Sequence, residues 1–307
     1  MDQLAKVGKK VENPDRMTML PRNTELQVIF VIRIGRKSYF CTLIKMTPVK
    51  EKKDTLILIT NDDGVHAKGL NTLIDVVKPM GDIMVIAPTE SRSGMSHAIT
   101  VKHPIRVKMI REEPGLAILC SNGTPVDCVK LALNTLLDRK PDLVLSGINH
   151  GSNSSASILY SGTMAAALEG CLNGIPSIGF SILDYSPDAE FGGAIKYIRE
   201  IIRKTLATGL PDGICLNVNF PQENANALNG VKICRQTRGL WIEEFDKRID
   251  PQMKTYYWLT GEFKNLEPEA EDTDEWALKN HYVSIVPVQT DLTAYRAIDH
   301  IKKWNLS

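Results

Sequence analysis

Two adjacent carboxylates, Asp62 and Asp63, stand in the run Asn61-Asp62-Asp63-Gly64, directly after the apolar stretch Thr55–Thr60. Acids held side by side at a strand end repel each other and are costly to bury unpaired. A hard divalent cation resolves that repulsion. The residues that follow two further apolar stretches bear oxygen or positive charge: Ser91, Arg92, Ser93 and Gly94 after Ile83–Ala87, and Ser146, Asn149 and Asn153 after Leu143–Leu145. Carboxylate, hydroxyl and amide oxygens suit Mg²⁺ or Mn²⁺, and no soft or imidazole set accompanies them. Taken alone, Asn-Asp-Asp-Gly reads equally as a turn followed by a helix cap.

A second candidate is Ser161-Gly162-Thr163, which opens a helical pattern with no acid in its first turn. Free N–H groups and the helix dipole make such an N-terminus a site for anions. An ordinary Ser/Thr cap with Gly for a tight entry is the alternative. Combined, the two features describe a phosphate held between a divalent cation and a helix N-terminus. The chemistry is hydrolysis of a phosphate ester, with the metal polarising a phosphoryl oxygen and helping to activate water.

The elements that must position these residues read as α/β. Thr55–Thr60 is a continuous β-rich run, as for a strand buried on both faces. Leu70, Leu73, Ile74 and Val77 then recur at helical spacing, and Ile83–Ala87 is a second buried strand, which completes a βαβ unit. Ile99–Ile110 and Leu116–Cys120 predict a β-hairpin around Pro114-Gly115. Thr124 as N-cap and Pro125 at the first position predict a helix whose stripe is Val126, Val129, Leu133, Leu136 and Leu137. Pro141–Ser146 is a short strand ending in the loop Gly147–Gly151. Met164–Leu172 is a helix, Pro176–Ser181 a strand and Phe191–Leu206 a helix. Ligands of open parallel sheets bind beyond the carboxyl ends of the strands, which is where every candidate residue falls.

After Pro211 the pattern changes. Ile214–Phe220 and Val231–Arg235 read as strands, large aromatics concentrate at Trp241, Tyr256, Tyr257, Trp258 and Trp276, and Glu267–Glu275 reads as a solvated acidic loop. The aromatics suit core packing or an oligomer interface.

Composition excludes several classes. The 307 residues are 43% hydrophobic and 24% charged, which is globular rather than disordered. A net charge of +1 offers no basic field for nucleic acid. The longest wholly apolar run near the N-terminus is Val28–Ile32, far short of the ~20 residues a membrane helix needs. The six cysteines show neither C-x-x-C pairs nor zinc spacing, as expected of buried reduced thiols in a cytoplasmic protein. Residues 1–45 carry a net charge of +5 and read poorly, with strand-like stretches only at Leu26–Ile34 and Tyr39–Ile44. Met46, just ahead of the first strong strand, is the expected start of the protein, with 1–45 outside the fold or untranslated.

Five ordered motifs resemble the survival protein SurE family: Asn61–Gly69, Ala87–Ser96, Ser121–Cys128, Ser146–Asn153 and Tyr160–Thr163. The resemblance spans roughly residues 55–300. It implies a metal-dependent phosphatase acting on nucleoside 5′- and 3′-monophosphates, a 5′-nucleotidase with possible action on short polyphosphate. The implied ligands of one divalent cation per subunit, Mg²⁺ or Mn²⁺, are Asp62, Asp63, Ser93 and Asn149. Asn61, Gly64, Asn153, Ser161, Gly162 and Thr163 match residues lining the phosphate pocket. Asp62 and Asp63 are the catalytic pair; Asp62 is the better candidate for activating water, a role not separated from metal ligation. The expected fold is a Rossmann-like, mostly parallel sheet flanked by helices over 46–210. Residues 211–307 form a β-rich part that completes the fold and joins subunits into a homodimer or homotetramer.

Two readings compete. An aspartyl-phosphate phosphatase needs a second Asp two residues after the nucleophile, but that spacing pairs Asn61 with Asp63, or Asp62 with Gly64. A nucleotide-binding module without turnover needs a phosphate cradle but no carboxylates beside its anionic ligand. Loop histidines His66, His97, His103 and His150 read as polar lining, with His150 the best placed for a proton. Arg92 reads as a surface charge or as a guide for phosphate.

Overall fold

A computed structural model of the chain describes residues 27–28, 31–34, 37–40, 44–45, 55–222, 227–304 and 306. The chain divides into two compact units, Met1–Asp54 and Thr55–Ser307. In the first, β1 (Gln27–Val28) pairs with β4 (Ile44–Lys45) and β2 (Val31–Ile34) with β3 (Lys37–Phe40), both antiparallel. Met46 and Cys41 lie outside the described residues.

The second unit is built on one nine-stranded sheet. Its strands in chain order are β5 (Leu56–Thr60), β6 (Asp82–Pro88), β7 (Val107–Glu113), β8 (Leu116–Ser121), β9 (Leu143–His150), β10 (Ser177–Ile182), β11 (Ile214–Phe220), β12 (Val231–Ile233) and β17 (Val283–Gln289). Their spatial order is β12-β17-β11-β10-β9-β5-β6-β8-β7. The six strands from β8 to β11 run parallel; β7 is antiparallel to β8 and β17 to β11, and edge strand β12 runs parallel to β17. The chain leaves β5 for β6 on one side and later returns to β9 on the other. Strand order therefore reverses between β5 and β9, and a ligand crevice opens at that point.

The helices cover both faces. Ile57 and Ile59 point to one side, where α1 (Lys68–Val77) and α4 (Gly192–Thr208) pack through Leu70, Leu73, Ile198 and Ile202. Leu58 points to the other, where α2 (Pro125–Leu131) and α3 (Gly162–Leu172) pack through Val129 and Ala166. Burial of consecutive strand residues on two faces is why β5 lacks alternation. Antiparallel hairpins β14 (Phe245–Ile249) with β15 (Thr255–Leu259), and β13 (Gly239–Ile242) with β16 (Glu262–Asn265), follow β12. Short α5 (Asp274–Lys279) precedes β17, and α6 (Tyr295–Lys302) follows it. Tyr257 and Trp258 of β15 are exposed.

Four local readings change. The first strand of the hairpin begins at Val107, not Ile99, because the N–H groups of Thr100 and Arg106 are taken by the side chains of Asp127 and Asn122. The α2 stripe is fully buried only at Val126 and Val129; from Ala132 to Leu136 the helix widens into a π turn, and Leu133, Leu136 and Leu137 pack half-buried against the edge of the same core. Gly147–His150 is strand, not loop: Gly147 takes φ +126° where a side chain would strike the Phe180 carbonyl, so β9 runs on through an irregular pairing with β10. The acidic stretch 267–275 is solvated only in part, since Thr273 and Asp274 are buried.

Candidate active site

Asn61, Asp62 and Asp63 leave the carboxyl end of β5 at the strand-order reversal. Asn61 Nδ2 donates to the Gly64 carbonyl at 3.0 Å and closes the turn. Gly64 takes φ +103°, and the Val65 N–H then reaches the Pro88 carbonyl at the end of β6 (2.8 Å). The turn reading of Asn-Asp-Asp-Gly is thus correct as local structure, and it aims both carboxylates into the crevice.

Asp62 is buried, at 3% exposure. Its carboxylate meets the N-terminus of α3, where the hydroxyl and the N–H of Thr163 both donate to it. Gly162 makes that approach possible: a Cβ there would lie 2.8 Å from Asp62 Cβ and 2.9 Å from Oδ2. Ser161 is the N-cap, its side chain accepting the Met164 N–H at 3.0 Å. The cap and the anion site coexist, and the anion at the helix N-terminus is Asp62 itself. Asp63 Oδ2 accepts the His150 N–H at 3.0 Å, which ties β5 to the far end of β9.

The electrostatics favour a cation. Burial first, then the Asp63 charge, pushes Asp62 up to about 6, against the lowering effect of Thr163. Burial also raises Asp63, opposed by the His150 N–H. Arg92 does not neutralise the pair: its guanidinium reaches the Asn122 carbonyl and Glu90, both at 3.2 Å. Its backbone N–H instead donates to the Asp62 carbonyl (2.7 Å), which holds the Ser91–Ser93 loop beside the site. Ser93 is exposed, with its hydroxyl 2.9 Å from that of Ser91. Asn149 Nδ2 donates to the Gly151 carbonyl (2.7 Å), so its Oδ1 is the end left for another partner. The buried Asn61 Oδ1, Thr60 Oγ1 and Ser146 Oγ have no hydrogen-bond partner among the described residues. No group of three or more His, Cys, Asp or Glu side chains able to hold a metal occurs among the described residues. The expected donors are therefore two acids completed by hydroxyl and amide oxygen. That oxygen-only chemistry, with two underneutralised carboxylates, fits a hard divalent cation.

His150 is committed elsewhere. Nδ1 lies 2.6 Å from the Ser186 carbonyl and must donate; Nε2 then accepts the Gly69 N–H at 3.3 Å. Both ring nitrogens are occupied, as in a neutral structural imidazole. His97 pairs with Glu169 of α3 at 3.2 Å. Five cysteines, Cys120, Cys128, Cys171, Cys215 and Cys234, are free and buried.

The loop from Gly151 to Tyr160 joins the Asn149 position to α3, and sequence reasoning missed what fixes it. Asn153 N–H donates to Asn219 Oδ1 (2.8 Å), and Asn153 Nδ2 to Ser181 Oγ (2.7 Å). Ser154 Oγ donates to Glu275, and the Ser155 N–H to Asp274 Oδ2 (2.8 Å), where Ser155 holds φ +50°. Asp274 Oδ1 also takes the N–H (2.9 Å) and hydroxyl (2.5 Å) of Thr237. The signal was present as Thr-Asp before an apolar run, a capping pattern inside the acidic stretch.

Comparison with known proteins places these features in context. The family model described as "Survival protein SurE" matches residues 57–243. A protein of Phocaeicola vulgatus named 5′-nucleotidase SurE is 54% identical over 256 residues, covering 83% of this chain and 99% of that protein. One of Flavobacterium psychrophilum with the same name is 52% identical, covering 82% and 98%. The crystal structure of the SurE protein from Aquifex aeolicus aligns with a TM-score of 0.71 at 37% identity, over 82% of this chain and all of that one.

Proposed function

This chain belongs to the survival protein SurE family, and from that membership we propose that it is a 5′-nucleotidase, releasing orthophosphate and a nucleoside from nucleoside 5′-monophosphates. The observation that carries the reading is the meeting of Asp62 with the N-terminus of α3 at the strand-order reversal, with Asp63 next to it held by the His150 N–H of β9. The same chemistry extends to 3′-monophosphates and short polyphosphate.

Asp62, Asp63, Ser93 and Asn149 would hold one Mg²⁺ or Mn²⁺ per subunit. Bound there, the cation supplies Lewis-acid polarisation of a phosphoryl oxygen and makes water more acidic. The rest is performed by the chain. Asn61, Gly64, Asn153, Ser161, Gly162 and Thr163 line the phosphate. Thr163 orients the Asp62 carboxylate through two donors, which leaves lone pairs of the same carboxylate to accept a proton. Water oxygen bonds to phosphorus, its proton passes to Asp62, and the ester P–O bond breaks, with the leaving nucleoside oxygen taking up that proton to become the hydroxyl and Asp62 returning to its carboxylate. The dipole of α3 favours the negative charge that gathers on the phosphoryl oxygens.

Exposed Tyr257, Trp258 and Leu259 of β15, and α6, which buries none of its residues, support a homodimer or homotetramer formed through residues 211–307. Free buried thiols support the cytoplasm. No helix among the described residues is long and apolar enough to cross a membrane.

The deciding experiment is phosphate release from 5′- and 3′-nucleoside monophosphates with Mn²⁺, with Mg²⁺ and with chelator. Metal-dependent release that Asp62→Asn abolishes is the expected result. No release with either metal, while nucleotide still binds, overturns the reading in favour of a binding module.

A further inference from the structure

Asn153 is held by a closed ring of three asparagines. Its N–H donates to Asn219 Oδ1 (2.8 Å), Asn219 Nδ2 donates to Asn217 Oδ1 (2.9 Å), and Asn217 Nδ2 donates to the Asn153 carbonyl (2.8 Å). Asn217 and Asn219 alternate along β11 and so share one face of the sheet. They are 1% and 0% exposed. A primary amide is costly to bury unless hydrogen-bonded, and an apolar residue would fill a central strand at lower risk. Both amides here spend their hydrogen bonds on each other, on the main chain of Asn153 and, at 3.4 Å, on the Ser152 hydroxyl, which donates to Asn219 Oδ1. Ser181 completes the arrangement: its Oγ receives Asn153 Nδ2 at 2.7 Å, and Ser181 lies opposite Asn149 in the β9–β10 register. A serine hydroxyl donates or accepts, so the Asn153 amide can turn its NH₂ toward an anion without losing that partner.

We propose that Asn217 and Asn219 are positioning residues for the phosphate subsite: the ring fixes the Asn153 backbone, and with it the amide, beside Asn149 before the substrate phosphate arrives. The proposal rests on the nucleotidase reading above. Neither residue has a hydrogen bond to Asp62 or Asp63, so their effect falls on phosphate affinity and not on the proton transfer. A group ordered in advance spares the ligand the entropy of ordering it.

Orthophosphate binding to the Mn²⁺-loaded protein, measured by calorimetry, tests this apart from turnover. Asn217→Ala removes the donor to the Asn153 carbonyl. Its phosphate Kd and its KM for nucleoside monophosphates rise roughly tenfold, while kcat and Mn²⁺ affinity hold. Asn217→Asp gives a graded second readout: the protonated carboxyl retains a donor and the ionised one has none, so its Kd relative to the wild-type protein climbs with pH. Unchanged phosphate Kd and KM in both variants, or a fall in kcat alone, overturns the positioning role. A wild-type protein that binds orthophosphate yet releases none from nucleotides overturns the nucleotidase reading, and the Kd comparison still decides the role of the ring.

Discussion

Thr163 donates its hydroxyl hydrogen bond to Asp62, linking the first turn of α3 to the end of β5 across 101 residues of sequence. That contact places a carboxylate where a helix N-terminus would otherwise meet only solvent or ligand. It also explains two neighbouring choices of residue. Gly162 has no side chain because Asp62 occupies the space, and Ser161 caps the helix so that its first N–H groups keep their direction.

Asp62→Asn and Asp63→Asn abolish turnover and leave the fold intact. In the metal-free protein Asp62→Asn is also stabilising at neutral pH. The folded-state value of Asp62, about 6, lies above its ordinary 3.8, so the fold favours the protonated acid. The metal-free protein therefore loses stability as pH rises from about 4 to 6, by about 3 kcal/mol from this group. Thermal melts in chelator at pH 4 and pH 7.5 read this directly. A wild-type-to-variant difference that does not grow with pH contradicts it.

Gly162→Ala lowers kcat/KM by at least about tenfold, since the methyl group displaces the carboxylate that the site is built around. Gly192→Ala is the matched control at another helix start, where a Cβ meets nothing within 4 Å. Its activity is unchanged, and its stability equals or exceeds that of the parent. Steady-state kinetics of the pair separate a steric effect at Asp62 from a general cost of replacing glycine.

Chelation removes activity, and Mn²⁺ or Mg²⁺ restores it. A cation at one hundred times its Kd adds ~2.7 kcal/mol to stability. The corresponding rise in Tm is lost in Asp63→Asn, which shows the effect in a protein without turnover. An equal metal-induced shift in that variant places the cation elsewhere.

Asp274→Ala destabilises the fold by ~2 kcal/mol or more, because it leaves the N–H of Ser155 and the N–H and O–H donors of Thr237 without their acceptor. Urea unfolding measures the loss. Activity falls as well, since Ser155 lies on the loop that leads into α3.

Ser161→Ala costs ~1 kcal/mol through the lost cap to Met164. Its phosphate affinity drops only mildly, as the N–H groups that face the anion belong to the backbone. A loss of turnover as deep as that of the Asp62 variant refutes this division of labour.

The sheet was legible because parallel strands buried on both faces must be continuous apolar runs, and Leu56–Thr60, Ile83–Ala87 and Leu143–Leu145 are such runs. The residues at their carboxyl ends could be named for the same reason: the chain must turn there, and the turn residues carry oxygen. α1 declared itself through Leu70, Leu73, Ile74 and Val77, and α2 through the cap Thr124-Pro125. Boundaries were lost where side chains replaced the ladder, as Asp127 does for the Thr100 N–H, or where Gly147 let β9 continue past its expected end.

By itself, the sequence determined which residue types stand at each strand end, oxygen-bearing ones of the kind a phosphate-ester chemistry needs. Only the tertiary structure decided which of them meet. It set Asp62 against Thr163, occupied both nitrogens of His150, and turned Arg92 toward Glu90 and Asn122. It also brought Asn217, Asn219 and Asp274 back to a loop that precedes each of them by 60 residues or more. Hydrophobic periodicity records the direction in which a residue faces along its own element. The partner of a buried polar group is set by strand order and register, which no local pattern encodes.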